Sequence, residues 1–285
     1  MKAHPLGLYE KALPASFSFE ERFKTAQECG FDYLEISVDE SDERLKRLDW
    51  TVRQRKDFVN LKLDLGMRVP SMCLSAHRRF PFGSHDPAVR QKARDIMSKA
   101  IDLASDIGVR TIQLAGYDVY YEDSDESTVA NYAEGMQWST RQAAAAQVTI
   151  ATEIMDTPFQ GTISKWKVYD ELIKSPWFCV YPDVGNLSAW TGGDIEKELS
   201  IGMDKISALH LKETLFVKPD RKGQFRDLQF GDGDMDFKKV FSILKKLNYR
   251  GSFVLEMWGD KEADPVGNIR RAISFIRDKM AQADF

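Results

Sequence analysis

Histidine and cysteine are scarce. The 285 residues contain four histidines and three cysteines. Cys29, Cys73 and Cys179 are odd in number and widely spread, and none forms a CxxC pair. This excludes a disulfide framework and a thiolate zinc site, and all three read as small buried apolar residues. Positive charge is not in excess either: 40 basic against 44 acidic side chains give a formal net charge of -4. A chain without basic surplus gains little from counterion release, so nucleic acid is not an expected partner. No apolar run approaches the ~20 residues of a membrane span, and Met1 to Leu13 lacks the apolar core of a signal peptide. The expectation is a cytoplasmic protein with no membrane partner. Low-complexity tracts and Pro/Gly/Ser-rich linkers are also missing, which leaves no obvious domain boundary.

What is present is alternation. Short apolar or β-branched runs are followed by amphipathic, charge-rich segments along the whole chain, the pattern of a parallel sheet with helical crossovers. The spacing predicts strands over Leu6–Glu10, Tyr33–Val38, Val69–Ser75, Val109–Ala115, Val148–Ile154, Phe178–Pro182, Ile206–Leu211 and Ser252–Met257. Predicted helices fall between and after them, at Phe19–Cys29, Trp50–Leu65, Pro87–Ile107, Ser127–Ala146, Ile163–Ile173, Ile195–Gly202, Phe237–Leu247 and Asp264–Met280. Eight units average about 36 residues, enough for a strand, a helix and two short loops, and (β/α)8 barrels typically run to about 250 residues. Gly30, Gly66, Gly108 and Gly251 stand between a predicted helix and the next strand, where left-handed C-caps are expected. An open doubly wound sheet would carry a Gly-rich turn after its first strand, and Leu8-Tyr9-Glu10-Lys11 is no such turn. Residues 1–285 therefore read as a single (β/α)8 TIM barrel domain.

In such a barrel the active site lies at the C-terminal ends of the strands. The last four predicted strands end at or near Glu153, Asp183, His210 and Glu256. Three carboxylates converging on a barrel mouth repel one another and are costly to desolvate unless a cation neutralises them. A single divalent metal ion meets that demand, and an oxygen-rich set with one imidazole suits Mn2+, Mg2+ or Zn2+. His77 follows the third strand and is placed either at the mouth or in a surface loop; His4 and His85 read as solvated. Glu10 and Lys11 read equally as site residues, an ion pair or a helix entry. Arg78, Arg79, Lys212, Lys218 and Arg226 fall in predicted βα loops and together can hold a phosphate dianion, although each alone reads as a solvated basic residue.

Four segments carry a resemblance: Val69 to Pro81 (VPSMCLSAHRRFP), Gln113 to Tyr121 (QLAGYDVYY), Tyr181 to Trp190 (YPDVGNLSAW) and Leu255 to Trp258 (LEMW). With them the chain resembles, over essentially its whole length, the bacterial L-ribulose-5-phosphate 3-epimerases, formerly described as hexulose-6-phosphate isomerases. The resemblance implies a xylose-isomerase-like barrel in which Glu153, Asp183, His210 and Glu256 match the metal-ligand positions. It also implies that Glu153 and Glu256 act as acid and base, through a cis-enediolate, in interconverting L-ribulose 5-phosphate and L-xylulose 5-phosphate. That reaction serves L-ascorbate and pentose catabolism. The implied substrate is a small phosphorylated ketose, and the implied assembly is a homodimer. Related free-ketose epimerases carry a histidine three residues after the aspartate, where this chain has Asn186, and their substrate-binding arginine after the strand-seven histidine has no obvious counterpart in Leu211-Lys212-Glu213-Thr214. The substrate-binding candidates are thus His77, Arg78, Asn186, Lys212 and Arg226. Aldose-ketose isomerisation of a sugar phosphate and a non-catalytic sugar-phosphate sensor are the alternatives. An abasic-site endonuclease fits less well, because a multi-zinc site would want more imidazoles than four histidines provide.

Overall fold

A computed structural model describes residues 4–285. Eight parallel strands run β1 (Leu6–Tyr9), β2 (Tyr33–Val38), β3 (Ser71–Leu74), β4 (Thr111–Ala115), β5 (Thr149–Glu153), β6 (Phe178–Tyr181), β7 (Leu209–Leu211) and β8 (Phe253–Leu255). They pair in the order β6-β5-β4-β3-β2-β1-β8-β7. The remaining seam, between β6 and β7, has no continuous ladder. Two parallel bridges join it, Val180 with Ile206 and Asp183 with His210, and the His210 amide donates to the Pro182 carbonyl at 3.0 Å. The barrel is thus held shut at its mouth by two of the four candidate ligands.

Ten helices are seen among the described residues: α1 (Phe19–Glu28), α2 (Asp42–Leu45), α3 (Val52–Asp64), α4 (Pro87–Ile107), α5 (Glu126–Ala145), α6 (Ile163–Ile173), α7 (Val184–Thr191), α8 (Glu196–Gly202), α9 (Phe237–Lys246) and α10 (Pro265–Gln282). Their sequences explain their packing. In α4, Ala93, Ile96, Met97, Ala100, Ile101, Leu103, Ala104 and Ile107 recur at three- and four-residue steps and are all buried, so one stripe covers the sheet. Asp86 caps its N-terminus, Pro87 opens it, and Gly108 ends it with φ of +77°. None of these helices is long and apolar enough to cross a membrane.

Strand side chains separate into two environments. Leu8, Leu34, Ile36, Met72, Leu74, Ile112, Ile150, Phe178, Leu209 and Leu255 join the helices in one large apolar cluster. The alternate residues Tyr9, Tyr33, Cys73 and Val254 form a separate small cluster, and the buried polar groups Glu35, Ser37, Ser71 and Gln113 alternate with the apolar residues in the same way. Gly7 makes room for this inner layer, since a Cβ there would stand 2.2 Å from the Tyr33 ring.

Two expectations are revised. No helix was expected immediately after β6, yet α7 starts at Val184; it is short, and Val184 through Ala189 are all buried, so it gives no amphipathic pattern. Gly251 is not a left-handed cap. The chain turns instead at Asn248 (φ +55°), and Gly251 is required by the ring of Tyr249 beside it.

Glu10 follows β1 and is wholly buried. Arg47 Nη1 binds its two oxygens at 2.7 and 2.9 Å, Arg44 pairs with it closely, and Arg22 Nη1 lies 3.7 Å away. Removing one member of such a network strands the others in a dry setting. Glu10→Gln is therefore expected to lower unfolding free energy by about 3–5 kcal/mol, measured by urea titration; a loss too small to resolve would show that the arginines are solvated.

Candidate metal centre and active-site cleft

The barrel delivers Glu153, Asp183, His210 and Glu256 to one point. One potential ligand atom from each lies within 4.8 Å of all the others, and all four residues are buried. Asp183 is divided between two tasks. Its Oδ1 caps α7, accepting from the amides of Gly185 (2.7 Å) and Asn186 (3.0 Å), which leaves Oδ2 for the cluster. His210 turns Nδ1 toward Glu256 Oε2 (3.1 Å) and Glu153 Oε1 (3.3 Å), while Nε2 meets Glu35 Oε1 at 2.7 Å. Lys212 Nζ stands 2.7 Å from Asp183 Oδ2 and 3.5 Å from Glu256 Oε2. Gln113 Nε2 donates to Glu153 Oε2. Asp183 Oδ2 and Glu256 Oε2 are buried yet engage in no well-aligned hydrogen bond. Three buried carboxylates converging with one imidazole nitrogen are the donor set a divalent cation takes, so these residues fit such an ion.

Protonation follows from crowding. Burial pushes Asp183 up to about 8, with the charges of Glu256 and Glu153 adding to the effect and Lys212 opposing it. Burial and the neighbouring Glu256 charge also raise Glu153. Burial would raise Glu256 as well, but Lys212 and His210 together outweigh it and hold this group ionised. For His210 burial favours the neutral ring, and the carboxylates of Glu35 and Glu256 prevail to raise it. The carboxylates are thus driven apart in proton affinity, the arrangement that lets one accept a proton while another retains it.

A family model described as xylose isomerase-like TIM barrel matches residues 23–279. The chain belongs to this family. The putative L-ribulose-5-phosphate 3-epimerase SgbU of Escherichia coli K12 is 58% identical over 285 residues, 100% of this chain and 99% of that protein. The L-ribulose-5-phosphate 3-epimerase UlaE of the Escherichia coli strain Crooks is 48% identical over 282 residues, 99% and 97% of the two chains. A solved structure of L-ribulose 3-epimerase superposes with a TM-score of 0.79 at 18% identity, covering 99% of this chain and 96% of that one, a likeness of fold. The barrel and the family resemblance read from the sequence are both borne out.

As in other TIM barrels, the cleft of this xylose isomerase-like chain opens at the C-terminal strand ends. Glu153, Glu256, Lys212 and Cys73 are among the residues that line it. Burial pushes the Cys73 thiol up to about 12, so it is a neutral wall. Arg78 and Arg226 also line the cleft. Arg78 lies over the Tyr120 ring at 4.8 Å, and Arg226 over the Trp258 ring at 4.8 Å. Lys11 lines it too, paired with Asp39 at 2.5 Å. Arg79 is held instead at Asp42, 2.8 Å away, and Lys218 near Asp234.

Two of the five substrate-binding candidates do not reach the cleft. Asn186 is buried in the first turn of α7, where Nδ2 donates to the Ile154 carbonyl at 2.9 Å. His77 is turned away from the mouth, stacked on Phe82 at 4.6 Å with Nε2 3.1 Å from the Ala93 carbonyl. Conversely, sequence reasoning missed Glu35 and Gln113. A carboxylate in the middle of the apolar run Tyr33-Leu34-Glu35-Ile36 is the one signal that could have exposed Glu35.

Burial pushes His77 down to about 4, well below its ordinary 6.5. Below pH 6.5 the unfolded chain takes up a proton that the folded chain refuses, so stability falls until the folded ring also titrates near 4. Between pH 7 and pH 5 this group is expected to cost about 2 kcal/mol. In His77→Gln the pH-dependent loss over that interval should shrink by this amount in denaturant titrations; an unchanged loss would mean that the imidazole is accessible to protons.

Proposed function

We propose that the protein is a divalent-metal-dependent ketose-phosphate 3-epimerase that interconverts L-ribulose 5-phosphate and L-xylulose 5-phosphate. One observation carries this reading. Glu153 ends β5 and Glu256 directly follows β8, yet both line one cleft and both meet His210 Nδ1. The names of the full-length relatives supply the substrate class.

Epimerisation at carbon three requires the C–H bond next to the ketone to break, with its electrons passing to the carbonyl oxygen to give a cis-enediolate. One glutamate takes that proton on a carboxylate oxygen, and the other returns a proton to the opposite face. Direction of reaction decides which acts first. A divalent ion held by Glu153, Asp183, His210 and Glu256 would supply the positive charge that stabilises developing oxyanions. Asp183 and His210 hold position rather than transfer protons. Lys212 places an ammonium beside the same carboxylates, next to where substrate oxygens would lie. Arg78 and Arg226 offer guanidinium forks at the cleft wall for the phosphate dianion. On the same reading the enzyme acts in L-ascorbate and pentose breakdown.

The test follows L-ribulose 5-phosphate in D2O with added Mn2+, chelated before NMR spectra are taken. Deuterium at carbon three together with the xylulose epimer is expected; deuterium at carbon one with an aldose product would reassign the enzyme to isomerisation. Glu153→Gln and Glu256→Gln should each lower kcat by about 10²–10⁴-fold with unchanged circular dichroism. Near-normal turnover in either would contradict the two-base assignment.

A further inference from the structure

We infer that Glu35 is a positioning residue, which holds His210 by Nε2 so that Nδ1 is the nitrogen presented to the metal. The inference rests on the metal centre proposed above. Glu35 occupies the middle of β2, is wholly buried and does not line the cleft. Its Oε1 meets His210 Nε2 at 2.7 Å. Its Oε2 accepts from Ser71 Oγ at 2.6 Å and from Tyr181 Oη at 2.9 Å. Four strands thus meet at one carboxylate: β2, β3, β6 and β7.

This arrangement determines which ring nitrogen is free. Ser71 and Tyr181 supply donors to Oε2, and Oε1 is left to the imidazole. A carboxylate is an acceptor only, so Nε2 keeps its hydrogen toward Glu35, and Nδ1 is the nitrogen that a cation can take by displacing its proton. That nitrogen faces Glu153 and Glu256 at 3.3 and 3.1 Å. The ring is also clamped edge-on by Tyr181, with centroids 4.8 Å apart. A histidine whose distal N–H is bound by a carboxylate is oriented for coordination and made more basic, and loss of such a partner typically weakens metal binding 10–100-fold.

Full-length wild type and Glu35→Gln are compared by calorimetric titration with Mn2+. Glu35→Gln keeps size and can still accept from Nε2–H, but removes the charge. Its Kd for Mn2+ should rise about 10–100-fold while its metal-free Tm stays near that of wild type. Ser71→Ala loosens the same carboxylate without removing its charge or its contact with His210, and should bind Mn2+ within about threefold of wild type. Equal affinity in wild type and Glu35→Gln, or equal losses in the two variants, would overturn the positioning role. Wild type that binds no Mn2+ would instead overturn the metal reading beneath it. A measurement on wild type alone guards against a variant that fails to fold. With 15N-histidine and 113Cd2+, scalar coupling is expected at His210 Nδ1 with Nε2 still protonated, and coupling at Nε2 would refute the assignment.

Discussion

Four carboxylates, Glu35, Glu153, Asp183 and Glu256, are buried together around one imidazole and one ammonium. If all six groups were ionised, four negative charges against an imidazolium and an ammonium would leave two uncompensated in a dry barrel mouth, a state that protons or a divalent cation must relieve. The raised affinity of Asp183 and Glu153 for protons is that relief in the absence of an ion. The same groups, stripped of protons, are the ligand set proposed for the metal. Folding and chemistry thus draw on one electrostatic strain, and the shape of the mouth is what brings the charges so close.

Local ties hold this crowding in place. The β6–β7 seam is joined at Asp183 and His210 themselves, so the residues that repel also complete the strand ring. Asp183 gives one oxygen to the start of α7 and keeps the other for the cluster. Below them, Glu35 links β2, β3, β6 and β7. Glu10 does a comparable task beyond β1, where three arginines surround one carboxylate. In each case a buried charge is tolerated because several donors meet it at once.

Much of this was legible in the sequence. Parallel strands buried on both faces have strong apolar runs, and a polar residue that ends such a run falls at the barrel mouth, which is why Glu153, Asp183, His210 and Glu256 could be read as a set. Glu35 could not, because the rim rule says nothing of a carboxylate in mid-strand whose partners come from three distant segments. His77 was placed by its distance from a strand end and Asn186 by the family position three residues after the aspartate, whereas side-chain direction sends one onto Phe82 and the other to the Ile154 carbonyl. The helix α7 escaped notice since the unbroken burial of Val184 through Ala189 leaves no period to detect.

The most direct test of the central claim is a crystal structure of the protein grown with Mn2+, with anomalous data collected at the manganese edge. The account expects one strong peak bounded by Glu153, Asp183, His210 Nδ1 and Glu256. A peak elsewhere, or these four side chains ordered around no metal at saturating Mn2+, would contradict it.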